Sequence, residues 1–175
     1  MKILLIGLPG SGKTTQANKI SADLNLPIVK TGEILRNLAN ANTPIALELK
    51  EKMAAGELVN NEFMAKVIKE HIMQPEMERG FIVDGYPRDV EQLNYFNPGF
   101  DLVFHLKVTE DEARHRLEAR GRADDTPVAI ENRIHIQGEN LEELLEYFAR
   151  TSRIIEINGQ ESIESIAKKI EEYIK

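Results

Sequence analysis

Apolar residues follow two alternating patterns along the chain. Short continuous runs predict buried strands, and they lie at residues 3–6, 27–29, 81–83, 102–106 and 154–157. Between them, apolar residues recur every three or four positions, which predicts helices with one buried face. Strands that alternate with helices indicate βαβ units. We therefore expect an α/β fold of three layers, a parallel five-stranded sheet with helices on both faces.

Three apolar stripes at helical spacing indicate helices that pack on this sheet. They consist of Met64, Val67, Ile68 and Ile72, then Leu141, Leu144, Leu145 and Phe148, then Ile163, Ile166, Ala167 and Ile170. Residues 31–59 interrupt the alternation with two helical segments, which Thr43 and Pro44 divide and Gly56 ends. The polar stretch 120–127 is a second interruption. A helical hairpin and a loop inserted into such a core suggest a substrate site and its cover.

The first predicted strand leads directly into the sequence GLPGSGKT at residues 7–14. This sequence fills every fixed position of the phosphate-binding pattern GxxxxGK[ST] and lies between a strand and a helix, as the pattern requires. The backbone N–H groups of such a loop, together with the helix N-terminus, surround an anion. Lys13 is expected to reach the β- and γ-phosphates, and Thr14 or Thr15 to face Mg²⁺. The sequence therefore predicts binding of a nucleoside triphosphate.

The composition is that of one ordinary globular domain, with 175 residues of which 42% are hydrophobic and 29% charged. A net charge of −7 argues against nucleic-acid binding, because such proteins carry a basic surface. No apolar stretch approaches the roughly 20 residues of a membrane span, and the first apolar run is too short for a secretory signal, so we expect a cytoplasmic location. The chain has no cysteine, which excludes disulfides and thiolate zinc sites.

A second candidate for chemistry follows the third predicted strand, in the sequence GFIVDGYPR at residues 80–88. Asp84 ends this strand, where a carboxylate can hold Mg²⁺ through its water ligands. A cap of the next turn is the structural alternative for Asp84. Arg88 follows at the carboxyl end of a parallel strand, where ligands of such sheets bind. Its planar guanidinium suits bidentate contact with a phosphate.

Three ordered runs resemble the signatures of the adenylate kinases, which are nucleoside monophosphate kinases. They are GLPGSGKTTQ at residues 7–16, TGEILR at 31–36 and GFIVDGYPRDVEQ at 80–92, and the resemblance extends over nearly the whole chain. It implies reversible Mg²⁺-dependent transfer of a phosphoryl group from ATP to AMP, which gives two ADP, and a monomer as the family default. It also implies a cis peptide bond between Tyr86 and Pro87.

The resemblance further implies a single P-loop kinase domain over residues 1–175. Its core would comprise residues 1–30, 60–119 and 134–175, with an AMP-binding hairpin at 31–59 and a short lid loop at 120–133. Arg120 and Arg122 are separated by Gly121 alone, so the lid is expected to be vestigial. Because a lid excludes water from the phosphoryl group, such a short cover suggests closure by the hairpin and raised ATP hydrolysis.

The AMP half of the site is assigned by the same resemblance. Thr31 would contact the adenine, Arg36 and Arg88 would bind the AMP phosphate, Gln92 would read the adenine, and Gly85 would pack beneath the nucleotide. Backbone contacts to the base and ribose fall on Glu57, Leu58 and Val59, and further phosphate contacts fall on Arg122 and Arg133.

The ATP half is assigned in the same way. Its phosphate contacts fall on Gly10, Ser11, Gly12, Lys13, Thr14 and Thr15, and its adenine loop on Gln160 and Glu161. Arg116 and Arg120 lie four residues apart on one helix face, and the resemblance implies that they stack on the adenine and grip the phosphates. The groups expected to stabilise the transferred phosphoryl group are Lys13, Arg88, Arg120, Arg122 and Arg133. Thr14 and Asp84 are the candidates for Mg²⁺, and no zinc is expected.

Three other functions compete with this interpretation. UMP and CMP kinases share most of these motifs, but Thr31 and Gln92 favour AMP as the acceptor. A small-metabolite kinase on the same core would not need TGEILR or the spacing from Arg88 to Gln92. An ATP-binding switch or adaptor would bind without turnover, and the arginines expected at both phosphate sites argue against it.

Overall fold

A computed structural model describes residues 1–174 and contains the predicted parallel sheet. Its five strands are β1 Lys2–Ile6, β2 Ile28–Lys30, β3 Phe81–Asp84, β4 Leu102–Lys107 and β5 Arg153–Asn158. They lie in the order β2-β3-β1-β4-β5, and every neighbouring pair is parallel. Each predicted strand is confirmed to within one residue at either end. β1 is central and buried on both faces, which explains its unbroken apolar run.

Eight α-helices surround the sheet in the described part of the chain. They are α1 Lys13–Leu24, α2 Thr31–Asn40, α3 Ala46–Ala55, α4 Asn61–Ile72, α5 Glu91–Tyr95, α6 Glu110–Arg120, α7 Pro127–Thr151 and α8 Ile163–Ile174. The three predicted apolar stripes lie on α4, α7 and α8 and contribute to the core. The hairpin at 31–59 consists of α2 and α3, as predicted. None of the helices within residues 1–174 is long and apolar enough to span a membrane.

The two faces of the sheet carry separate hydrophobic cores. Ile3 and Leu5 of β1 point to one face, where α1 and α8 pack through residues such as Ile170. Leu4 and Ile6 point to the other face, which is covered by the hairpin, α4 and α7. Alternation along one strand thus separates the layers. The prediction of three layers with helices on both faces is confirmed.

The loop that covers the site is shorter than the predicted lid segment. α6 ends at Arg120 and α7 begins at Pro127, so only residues 121–126 lie between the helices. Thr126 caps α7, since its hydroxyl accepts a hydrogen bond from the Ala129 N–H at 3.2 Å. Residues 127–133 of the predicted lid loop 120–133 are therefore helical, because the cap and Pro127 start the helix early.

The helical hairpin of α2 and α3 ends against the start of α7. Gly56 caps α3 with a φ of 75°, and a Cβ there would overlap the backbone of Ala129. The side chain of Asn132 donates to the Ala55 carbonyl at 2.8 Å, and that of Arg133 to the Met53 carbonyl at 2.9 Å. The end of α3 is thus tied to the helix that follows the lid. In the turn after β3, the Tyr86–Pro87 peptide is cis, as the resemblance implies.

Candidate active site

One cavity of about 710 Å³ lies at the carboxyl ends of β1, β2 and β3. It is lined by most of the residues predicted for both nucleotides. Those residues are Gly10, Ser11, Gly12, Lys13, Thr14, Thr15, Thr31, Arg36, Glu57, Leu58, Val59, Asp84, Gly85, Arg88, Gln92, Arg116, Arg120, Arg122, Arg133 and Glu161. The fold therefore brings both predicted halves to one site.

Gln160 is the exception among the predicted residues. Its side chain is exposed and does not line the cavity. The Asn158 side chain accepts a hydrogen bond from the Gln160 N–H at 3.0 Å, which forms a tight turn at the end of β5. Gly159 and Ser162 line the cavity instead, so this loop faces the site through its backbone and through neighbours of Gln160.

Lys13 stands at the first position of α1, directly after Gly12, whose φ of 95° makes the turn from loop to helix. Its Nζ donates to the carbonyl oxygens of Gly7 at 2.8 Å and Leu8 at 2.7 Å. Burial lowers the pKa of Lys13 to about 8, against the opposing charge of Asp84. The ammonium is thus desolvated without an ion-pair partner, a condition that a bound polyphosphate would relieve.

Two side chains near Lys13 carry oxygen atoms that could bind a metal ion, those of Thr14 and Asp84. The Thr14 hydroxyl donates a hydrogen bond to Asp84, which ends β3 and is 8% exposed. The pairing joins the helix after β1 to the adjacent strand β3. Hydroxyl and carboxylate oxygens are the ligands that Mg²⁺ prefers. These two residues therefore match the chemistry of the ion they were predicted to hold.

Three guanidinium groups reach the cavity without a carboxylate ion pair in the described chain, those of Arg36, Arg88 and Arg122. Arg88 Nε donates to the Gly85 carbonyl at 3.0 Å. Burial lowers the pKa of Arg88, and the charges of Arg133 and Arg36 add to this effect while Asp84 opposes it. Burial likewise lowers the pKa of Arg122, as do the charges of Arg120 and Arg36. The cavity thus concentrates positive charge, and no ion pair in the described chain neutralises these three guanidinium groups.

Arg120 of α6 and Arg133 of α7 are instead held by two carboxylates, Asp124 and Asp125, in the loop between these helices. Asp125 has a fully buried side chain and forms ion pairs with Arg120 at 2.7 Å and Arg133 at 2.8 Å. Asp124 pairs with Arg133 at 2.8 Å. Burial alone would raise the pKa of Asp125, but Arg120 and Arg133 hold it below its ordinary value. The short lid is therefore a charge network that orients two arginines toward the site.

Arg116 is positioned by neighbours on two elements. It pairs with Glu112 one helical turn earlier, and its Nη1 donates to the Gly159 carbonyl at 2.9 Å. The contact fastens α6 to the loop after β5. Arg116 therefore borders the part of the cavity that is lined by Gly159 and Glu161, next to the phosphate loop.

The part of the cavity predicted to bind AMP contains two polar side chains that are almost completely buried. Thr31 begins α2, is 2% exposed, and its hydroxyl has no hydrogen-bond partner in the described chain. A Cβ on Gly85 would approach Thr31 to 3.3 Å, so the glycine leaves room there. Gln92 is also 2% exposed, and its amide is hydrogen-bonded by Arg88 and Asn61. An unsatisfied buried hydroxyl is costly, so Thr31 is suited to bind a ligand.

Sequence reasoning missed three polar residues at or behind this cavity. Gln16 lines it and has a buried amide oxygen with no partner in the described chain. Gln137 lines it one helical turn after Arg133, a spacing that could have indicated it. Asn61 contacts Gln92 across 31 residues of sequence, and no local pattern predicts such a contact.

The chain is similar in sequence to known proteins over most of its length. A family model described as adenylate kinase matches residues 5–153. The adenylate kinase of Mycolicibacterium smegmatis is 43% identical over 155 residues, which cover 85% of this chain and 86% of that protein. That of Mycobacterium marinum is 36% identical over 91% of this chain and 92% of its own. That of Prochlorococcus marinus is 36% identical over 97% of this chain and 96% of its own.

Proposed function

The chain belongs to the adenylate kinase family and is an ATP:AMP phosphotransferase, and we propose how its residues divide between the two nucleotides. The main support for this division between ATP and AMP is a group of positively charged side chains that have no carboxylate ion pair in the described chain. Lys13 lies on one side of the cavity, and Arg36, Arg88 and Arg122 converge with it on the same space. Such a site suits two polyphosphates that must approach each other.

The donor half is built on the phosphate loop. Backbone N–H groups of residues 10–15 and the N-terminus of α1 bind the ATP phosphates, and Lys13 contacts the β- and γ-phosphates. Arg116 and the backbone around Gly159 flank the adenine, with Glu161 at its edge. Support comes from the Arg116–Gly159 hydrogen bond, which holds both walls of this region together.

The acceptor half lies between the hairpin and the end of β3. Arg36 and Arg88 bind the AMP phosphate, and the backbone of residues 57–59 contacts the base and ribose. Thr31 and Gln92 recognise the adenine, which is supported by the unpartnered Thr31 hydroxyl and by the burial of both side chains. Gly85 leaves room beneath the nucleotide.

Phosphoryl transfer needs little covalent chemistry from the protein. The attacking AMP phosphate is already ionised, and charge spreads over the oxygens of the transferred group. Lys13, Arg88, Arg120, Arg122 and Arg133 stabilise this charge. Arg120 is exposed and the other four are partly buried, and this burial strengthens their interactions with the phosphoryl group. The ion pairs of Asp125 orient two of these arginines before substrates bind, which lowers the cost of reorganisation.

Mg²⁺ is the proposed cofactor, carried with ATP. Thr14 and Asp84 would hold it at the end of β3, largely through water, and their hydrogen-bonded oxygens fit the ion's preference for hard ligands. The ion would neutralise phosphate charge that the protein cations do not reach. The charge of Asp84 also favours the protonated form of Lys13 and so raises its pKa against the effect of burial.

A panel of nucleoside monophosphates offered with Mg·ATP tests the assignment of the acceptor. We expect AMP to yield ADP at a far higher rate than UMP, CMP, GMP or IMP. Equal rates with UMP or CMP would overturn the roles given to Thr31 and Gln92. ADP formation no higher with AMP than without it would overturn the acceptor site.

The remaining proposals concern the whole protein in the cell. We propose a monomer in the cytoplasm that binds neither nucleic acid nor membrane, with residues 31–59 as the AMP-binding hairpin and residues 121–126 as the short lid. The acidic net charge of −7 supports the absence of nucleic-acid binding. Light scattering of the purified protein tests the oligomeric state, and a molar mass of twice the chain mass would refute the monomer.

A further inference from the structure

The side chain of Gln92 is held at both ends of its amide. Its Oε1 accepts a hydrogen bond from the backbone N–H of Arg88 at 2.9 Å, and its Nε2 donates to Asn61 Oδ1 at 3.1 Å. An amide offers two acceptor lone pairs and two N–H donors. One acceptor and one donor of Gln92 therefore stay available to a ligand, and the residue lines the cavity.

Its neighbours permit only one orientation of this amide. The Arg88 N–H can only donate, so Oε1 must face it. Asn61 is oriented in turn, because its Nδ2 donates to Glu91 at 3.1 Å and to Asp89 at 3.4 Å, and ionised carboxylates only accept. Asn61 must then present Oδ1 to Gln92. Rotating the Gln92 amide by half a turn would place donor against donor at one end and acceptor against acceptor at the other.

Asn61 also has a fixed backbone position. It is the first residue of α4, whose preceding residue Asn60 caps the helix by accepting a hydrogen bond from the Phe63 N–H at 2.9 Å. α4 follows the segment 57–59, which is proposed to contact the same base. The capped helix therefore gives the base-reading amide a rigid support on a second element.

We propose that Asn61 is a positioning residue that fixes Gln92 in the orientation that accepts adenine and rejects 6-oxopurines. Adenine presents the N6–H donor beside a ring-nitrogen acceptor, which matches the free acceptor and free donor of Gln92. Hypoxanthine presents the O6 acceptor where adenine has its donor, so it would need the rotated amide. This inference rests on the proposed contact between Gln92 and the AMP base.

The test compares AMP with IMP, which differs from AMP only at positions 1 and 6 of the purine. The ratio of kcat/KM for AMP to kcat/KM for IMP is measured with saturating Mg·ATP. We expect Asn61→Ala to lower this ratio about tenfold, because a misoriented amide loses a bidentate contact with adenine and gains one with hypoxanthine. Asn61→Asp keeps an acceptor toward Nε2 but loses the donor toward Glu91 and Asp89, so it should lower the ratio less than Asn61→Ala does. Glu62→Gln, an exposed change in the same helical turn, is the matched control and should leave the ratio unchanged.

The variant Gln92→Ala distinguishes two possible failures, that of the role given to Asn61 and that of the proposed contact between Gln92 and the AMP base. An unchanged ratio in Gln92→Ala would show that Gln92 does not read the base and would overturn both. A lowered ratio in Gln92→Ala with an unchanged one in Asn61→Ala would overturn the role of Asn61 alone. Equal losses in Asn61→Ala and Asn61→Asp would also overturn it, since they indicate a general defect. If Asn61→Ala does not fold, Asn61→Leu keeps the side-chain volume, and the same fall in the ratio is expected.

Discussion

Lys13 and the arginines of the cavity differ in the groups that already neutralise them. Arg120 and Arg133 share a fully buried carboxylate, Asp125, whereas Arg88 and Arg36 have no carboxylate ion pair in the described chain. Paired cations are oriented before a substrate binds, and unpaired cations gain most from the substrate's charge. The unpaired cations should therefore gain most from bound phosphate, and the paired cations should meet it already oriented.

Arg88 should be sensitive to any replacement, including lysine. We expect Arg88→Ala to lower kcat about 100- to 1,000-fold, because it removes a buried charge that is directed at the transferred group. Arg88→Lys should recover little of this loss, since an ammonium cannot reproduce a bidentate contact. Steady-state kinetics measures both, with circular dichroism to confirm folding. Arg79→Ala, an exposed arginine, is the control, and near wild-type kcat in Arg88→Ala would remove Arg88 from the mechanism.

Nucleotide binding should be accompanied by uptake of a proton at Lys13. In the free protein burial lowers this pKa to about 8, and a bound polyphosphate should raise it toward the ordinary value of about 10.5. Binding of ATP at pH 8.5 should then take up about 0.7 proton, and ATP affinity should fall as pH rises through about 8. Calorimetry in buffers of different ionisation enthalpy measures the uptake. Lys13→Met should abolish it, and the same uptake in that variant would assign the proton to another group.

At the scale of elements, the short lid and the AMP hairpin form one connected cover. Only residues 121–126 join α6 to α7, and the start of α7 holds the end of α3 through Asn132 and Arg133. A separate lid that closes by itself does not fit so few residues. We therefore propose that closure of this cavity depends on the hairpin as much as on the loop.

Such a cover should admit water to the γ-phosphate when AMP is absent. We expect measurable release of ADP from Mg·ATP without AMP, because no long lid excludes solvent from the phosphate loop. A coupled assay that detects ADP measures this hydrolysis. The same rate in Lys13→Met would identify a contaminating ATPase, and negligible hydrolysis by the unaltered protein would show that the short cover closes tightly.

The hydrogen bond from Asn132 to Ala55 should stabilise the hairpin on α7. Asn132→Ala removes a contact worth about 1 kcal/mol, so amide hydrogens of α3 should exchange about fivefold faster. The KM for AMP should rise while the KM for ATP stays constant. His135→Ala, an exposed change on the same helix, serves as the control. Unchanged exchange in α3 would show that the Asn132 hydrogen bond does not hold the hairpin, which would then rest on the Arg133–Met53 hydrogen bond and on packing against Ala129.

At the scale of the whole molecule, local patterns predicted the sheet, the hairpin and the phosphate loop. Each of these depends on residues close in sequence, such as the apolar run of β1 or the glycines of the phosphate loop at residues 7–12. The contacts that complete the site join residues that are far apart in the sequence. Asn61 meets Gln92 across 31 residues, and Arg133 meets Met53 across 80. These contacts form only when the chain folds, so the spacing of residues in the sequence could not predict them. The same is true of the orientation of Gln160, whose side chain lies outside the cavity.

Because both nucleotide halves share one cavity, a single molecule that spans them should bind better than either nucleotide. Two adenosines joined by a polyphosphate chain would place the second half at a high effective concentration after the first has bound. We expect this ligand to raise the melting temperature more than ATP and AMP combined at equal concentration, measured by differential scanning calorimetry. Arg88→Ala should reduce this gain and the effect of AMP but leave that of ATP. An increase in melting temperature no larger than that with ATP alone would mean that one ligand cannot occupy both nucleotide sites at once.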